Sequence, residues 1–161
     1  MILIVMGVTG AGKTTVGRAL ATSLGWEFHD GDDLHSEASK RKMHQGIALD
    51  DRDRAPWLAA IRRLIQSMLT GSRNGVVACS ALKQSYRDEL VIDADLVKIV
   101  YLKGSKQVIE ERLRHRTDHF MNPELLQSQI DTLEEPADAI VVESSMAPEA
   151  IVNAIRARIG L

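Results

Sequence analysis

The chain has 161 residues, of which 45% are hydrophobic and 26% charged, a composition typical of one soluble globular domain with a buried core. Its 20 Lys and Arg residues face 22 Asp and Glu, and the net charge of -2 argues against a dedicated nucleic-acid binder. A single cysteine excludes an internal disulfide, and no apolar run approaches the ~20 residues of a membrane span. We therefore expect a cytoplasmic protein with no membrane or nucleic-acid partner.

Short apolar runs alternate with helical patterns in the first half of the chain. Residues 2–6 are continuously apolar, which is typical of a strand buried on both faces of a parallel sheet. A helix is predicted over 14–24, ended by Gly25, and a short strand over 26–29. The clearest helical periodicity covers 56–69, where Pro56 suits a first turn and Gly71 follows the end.

The second half of the chain continues the alternation. Strands are predicted over 75–79, 96–102 and 139–143, and helices over 83–90, 105–114, from 122 onward and over 148–158. The stretches 30–54 and 112–122 are the least regular. The pattern predicts one α/β domain over 1–161, with three α/β/α layers and a five-stranded parallel sheet covered by helices on both faces.

The segment GVTGAGKT, residues 7–14, matches the phosphate-loop pattern G-x-x-x-x-G-K-[ST] between a predicted strand and a predicted helix. Glycines let the backbone wrap a polyphosphate with its amides pointing inward, and the following helix adds its positive dipole end. We expect Lys13 to reach the β- and γ-phosphates of ATP and the Thr14 hydroxyl to ligate Mg²⁺. The predicted nucleotide-binding residues are Gly7, Val8, Thr9, Gly10, Ala11, Gly12, Lys13, Thr14 and Thr15.

The other motifs of the chain exclude two classes of phosphate-loop protein. Neither D-x-x-G nor N-K-x-D of signalling GTPases is present, and no predicted strand ends in the Asp-Glu pair usual in motor ATPases. A small-molecule kinase remains. Such an enzyme needs an acidic group near the acceptor hydroxyl, an anchor for the substrate, and a cationic lid over the phosphates.

The acidic run Asp30-Gly31-Asp32-Asp33-Leu34-His35 directly follows the second predicted strand. Asp32 is the candidate to accept the proton of the substrate hydroxyl, and Asp30 is the candidate to orient a water on Mg²⁺. An Asp-rich surface turn would have the same composition. The position after the second strand of a phosphate-loop protein favours the functional interpretation.

Two groups of cations are candidates for the anchor and the lid. Arg54 could grip a substrate carboxylate, although a solvated charge cluster at a helix start fits the pattern equally well. Arg112 and Arg116, near His119, could swing over the transferring phosphoryl group as a mobile lid over about 112–122. A basic helix end is the alternative, and the break in helical pattern after Arg116 favours the lid.

These motifs together resemble the gluconate kinase (gluconokinase) family, which is close to shikimate kinase within the P-loop kinases. The resemblance covers nearly the whole chain. It rests on MGVTGAGKTT (6–15), DGDDLH (30–35), the GxxLxDxDRxPWL spacing (46–58), CSALKxxYRD (79–88), VYLKG (100–104), the RLxxRxxHFM region and TLEEP (132–136). It implies a P-loop kinase fold and the transfer of phosphate from Mg-ATP to D-gluconate, giving 6-phospho-D-gluconate.

The resemblance also implies roles for individual residues. Asp32 would lie at the acceptor hydroxyl, Asp30 near the metal, and the loop 143–147 against the adenine. Members are often dimeric, so a homodimer is expected. The implied substrate-side residues are Asp32, His35, Arg54, Ser80, Lys83, Arg87 and His119. Two alternatives stay open: a kinase of another acceptor (another sugar acid, shikimate or a nucleoside monophosphate), and a non-catalytic ATP sensor.

Overall fold

The computed structural model describes residues 1–115 and 123–161. Within them, five parallel strands form one sheet in the order β2-β3-β1-β4-β5. The strands are β1 (Ile2–Met6), β2 (Glu27–Asp30), β3 (Gly75–Ala78), β4 (Val97–Lys103) and β5 (Ile140–Glu143). The predicted five-stranded parallel sheet is confirmed.

Helices cover both faces of this sheet. They are α1 (Lys13–Leu24), α2 (Glu37–His44), α3 (Asp51–Thr70), α4 (Gln84–Leu90), α5 (Lys106–Arg114), α6 (Pro123–Thr132) and α7 (Pro148–Ile159). Side chains of β1 alternate between the two faces: Ile2, Ile4 and Met6 pack with α3 and α4, while Leu3 and Val5 pack with α1 and α7. The three-layer architecture follows from this central strand, which is buried on both sides.

Two helices differ from the sequence-based expectation. The helix predicted to start at Pro56 begins five residues earlier, because Asp50 and Asp53 form a capping box that binds the free amides of its first turn. Pro56 therefore lies inside α3. The stretch 30–54, predicted to be irregular, also contains α2, capped by the Ser36 hydroxyl. Of its residues only Ser39 is buried, so α2 has no apolar periodicity to reveal it.

The sheet brings three loops to one edge. Ala78 at the end of β3 is in register with Val5 of β1 on one side and with Asp30 of β2 on the other. The glycine-rich loop after β1, the acidic turn after β2 and the loop after β3 therefore meet at the carboxyl edge of the sheet, where ligands of open α/β folds bind. In the described part of the chain, no helix is long and apolar enough to cross a membrane.

Candidate active site

The loop between β1 and α1 has the backbone conformation that its glycines permit. Gly10 and Gly12 have φ angles of 79° and 98°, which side-chain-bearing residues rarely adopt. A Cβ at Gly10 would also lie 3.0 Å from side-chain atoms of Ile109 and Leu113, so α5 packs directly on the loop. The Nζ of Lys13 donates to the carbonyl of Val8 at 3.0 Å, which places this cation across the loop. The arrangement suits a polyphosphate.

The two predicted metal-binding residues lie in contact. The Thr14 hydroxyl donates to Oδ2 of Asp30 at 2.7 Å, and Oδ1 of Asp30 accepts the main-chain N–H of Asp32 at 3.1 Å. A hydroxyl and a carboxylate are the hard oxygen donors that Mg²⁺ prefers, and in kinases phosphates and waters complete its coordination. The described residues contain no cluster of three acidic, His or Cys ligands, so a cage built from the protein alone is absent there. The donor set fits a magnesium ion shared with a nucleotide.

The acidic turn after β2 packs against β3 and α3. Gly31 lies so close to β3 that a Cβ there would come within 2.6 Å of the Ala78 carbonyl oxygen. The indole N–H of Trp57, a buried residue of α3, donates to the Gly31 carbonyl at 2.7 Å. Asp32 is exposed at the top of this turn. Trp57 therefore supports the turn that carries the candidate base.

Charged groups of the site surround the end of β3. Burial raises the pKa of the Cys79 thiol to about 12, with Lys13 acting against that rise and Asp32 and Asp30 adding to it. All three predicted site residues are therefore electrostatically close to this one buried atom. The protonated thiol is not a nucleophile, and Cys79 is a buried residue of the core.

His35 lies beneath the same turn. Its ring stacks on Trp57 with centroids 4.4 Å apart and planes 12° from parallel, and the residue is only 8% exposed. Its Nδ1 is buried without a hydrogen-bond partner among the described residues. Burial lowers the pKa of His35 below its ordinary 6.5, Asp32 opposes that shift, and Arg54 and Lys40 add to it. The folded protein therefore favours the neutral ring.

This burial predicts a stability change with pH. Below pH 6.5 the unfolded chain takes up a proton at His35 that the folded chain resists, so stability falls as the pH drops. Between pH 7.5 and 5.5 we expect the free energy of unfolding of the wild type to fall more than that of His35→Phe, which keeps an aromatic ring. Urea denaturation at both pH values measures this. Equal pH dependence of the two proteins would contradict it.

A network of four polar side chains joins the start of α3 to the start of α4, the helix that follows the loop after β3. Nη1 of Arg54 donates to the Tyr86 hydroxyl at 3.1 Å, and that hydroxyl donates to Oδ1 of Asp51. Nζ of Lys83 lies 3.0 Å from the same Asp51 oxygen. The Tyr86 hydrogen bond and Lys83 lower the pKa of Asp51, which keeps this carboxylate ionised between the two cations. The predicted anchor residues Arg54 and Lys83 therefore lie together, joined by Tyr86 and Asp51, which the sequence reasoning missed.

Arg87 has a different position from the other predicted substrate-side residues. It is 2% exposed, and its Nη1 donates to the carbonyls of Ala81 and Leu82 at 2.8 and 3.1 Å. Ala81 has a φ of 43°, an unfavourable conformation for alanine that these hydrogen bonds help to hold. The buried guanidinium thus supports the loop after β3, and contact of Arg87 with the substrate stays a prediction. Ser80, half-buried in that loop, lies nearer the edge.

A cavity of about 560 Å³ adjoins the other side of the glycine-rich loop. Its walls come from the loop itself, α5 and the segment after β5, including Ser144, Ser145 and Met146. Arg112 lines it, donating to the carbonyls of Ala11, at 3.3 Å, and of Ser144. The position fits the predicted contact of the 143–147 loop with a nucleotide base. The predicted lid residue Arg116 and the predicted substrate contact His119 lie outside the described residues.

The chain is similar to known kinases over nearly its whole length. The family model described as shikimate kinase matches residues 9–159. The gluconokinase of Gluconobacter oxydans is 43% identical over 154 residues, covering 94% of this chain and 86% of that protein. A probable gluconokinase of Dictyostelium discoideum is 46% identical over 145 residues, covering 86% and 72%. The crystal structure of a gluconokinase from Sinorhizobium meliloti 1021 superposes with a TM-score of 0.88 at 43% identity, covering 98% and 90%.

Proposed function

Because this chain belongs to the gluconokinases, within the kinase family that the shikimate kinase model describes, we propose that it phosphorylates D-gluconate with ATP. The products are 6-phospho-D-gluconate and ADP. The observation that carries the proposal is the shared edge of the sheet. There the phosphate loop, the Thr14–Asp30 pair and exposed Asp32 stand beside the Arg54–Lys83 network. The phosphate loop and the Thr14–Asp30 pair suit Mg-ATP, and Asp32 with the Arg54–Lys83 network suits the acceptor.

The nucleotide half-site is proposed to hold ATP with its phosphates along residues 7–15. The amides of the loop and Lys13 neutralise the phosphate charge, and the cavity lined by Arg112 and Met146 accepts the base. Mg²⁺, if bound by Thr14 and Asp30, would supply positive charge to the β- and γ-phosphates. Arg112 and Arg116 remain proposed residues of the lid, over about 112–122, and His119 remains a proposed substrate contact. The whole chain is proposed to form one domain.

The acceptor half-site is proposed to deprotonate and aim the 6-hydroxyl. In the transfer, the 6-oxygen forms a bond to the γ-phosphorus while the bond from that phosphorus to the β–γ bridging oxygen breaks. The hydroxyl proton passes to the Asp32 carboxylate, and ADP leaves with the bridging electron pair. Asp32 is exposed and its turn is anchored by Trp57, so its carboxylate is both accessible and positioned. His35 and Ser80 are proposed to contact the sugar-acid chain.

The carboxylate of gluconate is proposed to bind Arg54 and Lys83. Gluconate carries its negative charge at the end opposite the 6-hydroxyl, so an anchor cation and the Asp32 turn must lie on different sides of one pocket. Both cations lie about the Tyr86 ring, each 5.6 Å from its centroid. Before substrate arrives, Asp51 holds Lys83 directly, and the Tyr86 hydroxyl, itself bonded to Asp51, accepts a hydrogen bond from Arg54. Pre-ordered cations lose less entropy when they bind a carboxylate.

Arg54→Ala is expected to raise the KM for gluconate tenfold to roughly a hundredfold, because a charge-assisted hydrogen bond contributes about 1.5–3 kcal/mol. The KM for ATP should change less than threefold. Steady-state kinetics with each substrate varied in turn measures both values. Arg52→Ala, an exposed arginine two residues away, is the matched control. An equal rise in both KM values would remove Arg54 from the carboxylate site.

The proposed reaction is tested by ADP release with Mg-ATP and a panel of acceptors: D-gluconate, other hexonates, shikimate and nucleoside monophosphates. Selective turnover of D-gluconate is the expected result. Turnover of another acceptor alone would support a kinase activity but contradict D-gluconate as its substrate. ATP binding without any turnover would support a sensor instead.

We also propose a cytoplasmic location and a homodimer. Gel filtration with light scattering tests the dimer.

A further inference from the structure

A long-range hydrogen bond joins the phosphate loop to α6, the helix after the predicted lid. The main-chain N–H of Thr9 donates to Oε1 of Gln129 at 2.7 Å, although the two residues are 120 positions apart. Both are partly buried. An amide has one hydrogen, so while this bond stands the Thr9 N–H is committed to Gln129. The bond restrains the phosphate loop at Thr9 by a side chain that is not part of the loop.

The surroundings of this hydrogen bond are apolar. Leu126 of α6 is 2% exposed and packs in one cluster with Val8 of the phosphate loop, Leu82 of the loop after β3 and Ile109 of α5. Ile130, the neighbour of Gln129 in α6, packs against the same cluster. A hydrogen bond beside such a cluster competes less with water, so it restrains the loop more than an exposed bond would.

Glu134, two residues beyond the end of the same helix, contacts the loop after β3 and the start of α4. The N–H of Glu134 donates to the Leu82 carbonyl at 2.8 Å, and its carboxylate accepts the N–H of Gln84 at 2.7 Å. Gln84 is the first residue of α4, whose capping residue, Lys83, provides no side-chain cap. Glu134 therefore caps the helix that carries Tyr86. The short segment from Gln129 to Glu134 binds the loops of both half-sites.

We propose that Gln129 is a positioning residue for phosphoryl transfer, holding the phosphate loop at Thr9 in the same frame as the acceptor-side loop. This inference rests on the proposed function only in taking gluconate as the acceptor with which kcat is measured. Gln129 acts through the Thr9 amide. Its loss should therefore disturb the alignment of the phosphates with the acceptor hydroxyl more than the binding of gluconate.

The test uses Gln129→Met, which keeps the length and packing of the side chain but removes the acceptor. We expect kcat to fall about tenfold with the KM for gluconate changed less than threefold. Hydrogen exchange of the Thr9 amide, followed by NMR without nucleotide, should accelerate by about tenfold. Gln129→Glu, whose carboxylate can accept the same N–H, should restore amide protection and most of kcat. Gln127→Met, in the same helix but bonded to Lys106 and Asp131, is the matched control.

Three results would overturn the inference: a kcat for Gln129→Met within twofold of the wild type, a lower kcat with unchanged Thr9 exchange, or a Glu variant that regains protection but not kcat. Melting temperatures of all variants separate these effects from loss of folding. The exchange measurement needs no acceptor. If the wild type fails to use gluconate, the proposed function fails while the Thr9–Gln129 contact is still tested, and kcat is then measured with whichever acceptor turns over.

Discussion

Lys13→Ala is expected to lower kcat by about a thousandfold or more, equivalent to ~4 kcal/mol of barrier. The Nζ of Lys13 lies across the phosphate loop, 3.0 Å from the Val8 carbonyl, on the loop whose amides would hold the phosphates. Charge on the transferring phosphoryl group is spread over its outer oxygens in the transition state, so removing this cation raises the barrier more than it weakens ground-state binding.

The measurement is single-turnover and steady-state transfer at saturating ATP, with ATP affinity titrated separately. Lys98→Ala is the matched control, because Lys98 lies near the start of β4, at the opposite edge of the sheet, and donates to the Ala94 carbonyl. A Lys13→Ala enzyme within about tenfold of wild-type kcat would show that the loop amides alone provide the stabilisation.

Asp32→Asn is expected to lower kcat by at least a hundredfold, within the ~10²–10⁴ range of general base catalysis. The amide has nearly the same shape as the carboxylate but does not accept the proton of the 6-hydroxyl. The KM for ATP should change less than threefold. Folding should be unaffected, because the hydrogen bond that the turn makes here uses the main-chain N–H of Asp32.

Asp33→Asn is the control for this prediction. Asp33 is the exposed neighbour of Asp32 in the same turn, so the variant changes net charge equally without touching the candidate base. Its kcat should remain within twofold of the wild type. If Asp32→Asn retained wild-type turnover, another group would be orienting the hydroxyl; if both variants lost activity equally, the cause would be the charge of the turn.

Local patterns were sufficient for most of the fold. Continuous apolar runs such as 2–6 predicted buried strands, and the predicted strands lie within two residues of β1 to β5. The one helix that was missed, α2, is polar nearly throughout, so its helical state depends on the Ser36 cap rather than on an apolar face. The start of α3 was misplaced because Pro56 is a common first-turn residue, whereas the Asp50–Asp53 capping box determines the observed start.

The sequence predicted those residues of the candidate site that belong to motifs placed directly after a predicted strand. Asp30 ends β2 and Asp32 follows it, while Lys13 and Thr14 begin the helix that directly follows the loop after β1. The sequence alone therefore placed all four at one edge of a parallel sheet. The roles of Tyr86, Asp51 and Trp57 were not predictable in this way. Their hydrogen bonds join residues 26 to 35 positions apart.

The sequence by itself determined the kinase class, through the phosphate loop, and the fold, through the alternation of strands and helices. The tertiary structure decided which side chains the predicted cations contact. Arg54 and Lys83 lie around Tyr86, whereas Arg87, in the same motif as Lys83, points inward to the carbonyls of Ala81 and Leu82. It also decided that Gln129 contacts the phosphate loop. Side-chain direction and long-range contact depend on how helices pack on the sheet, and no local pattern of residue types contains that information.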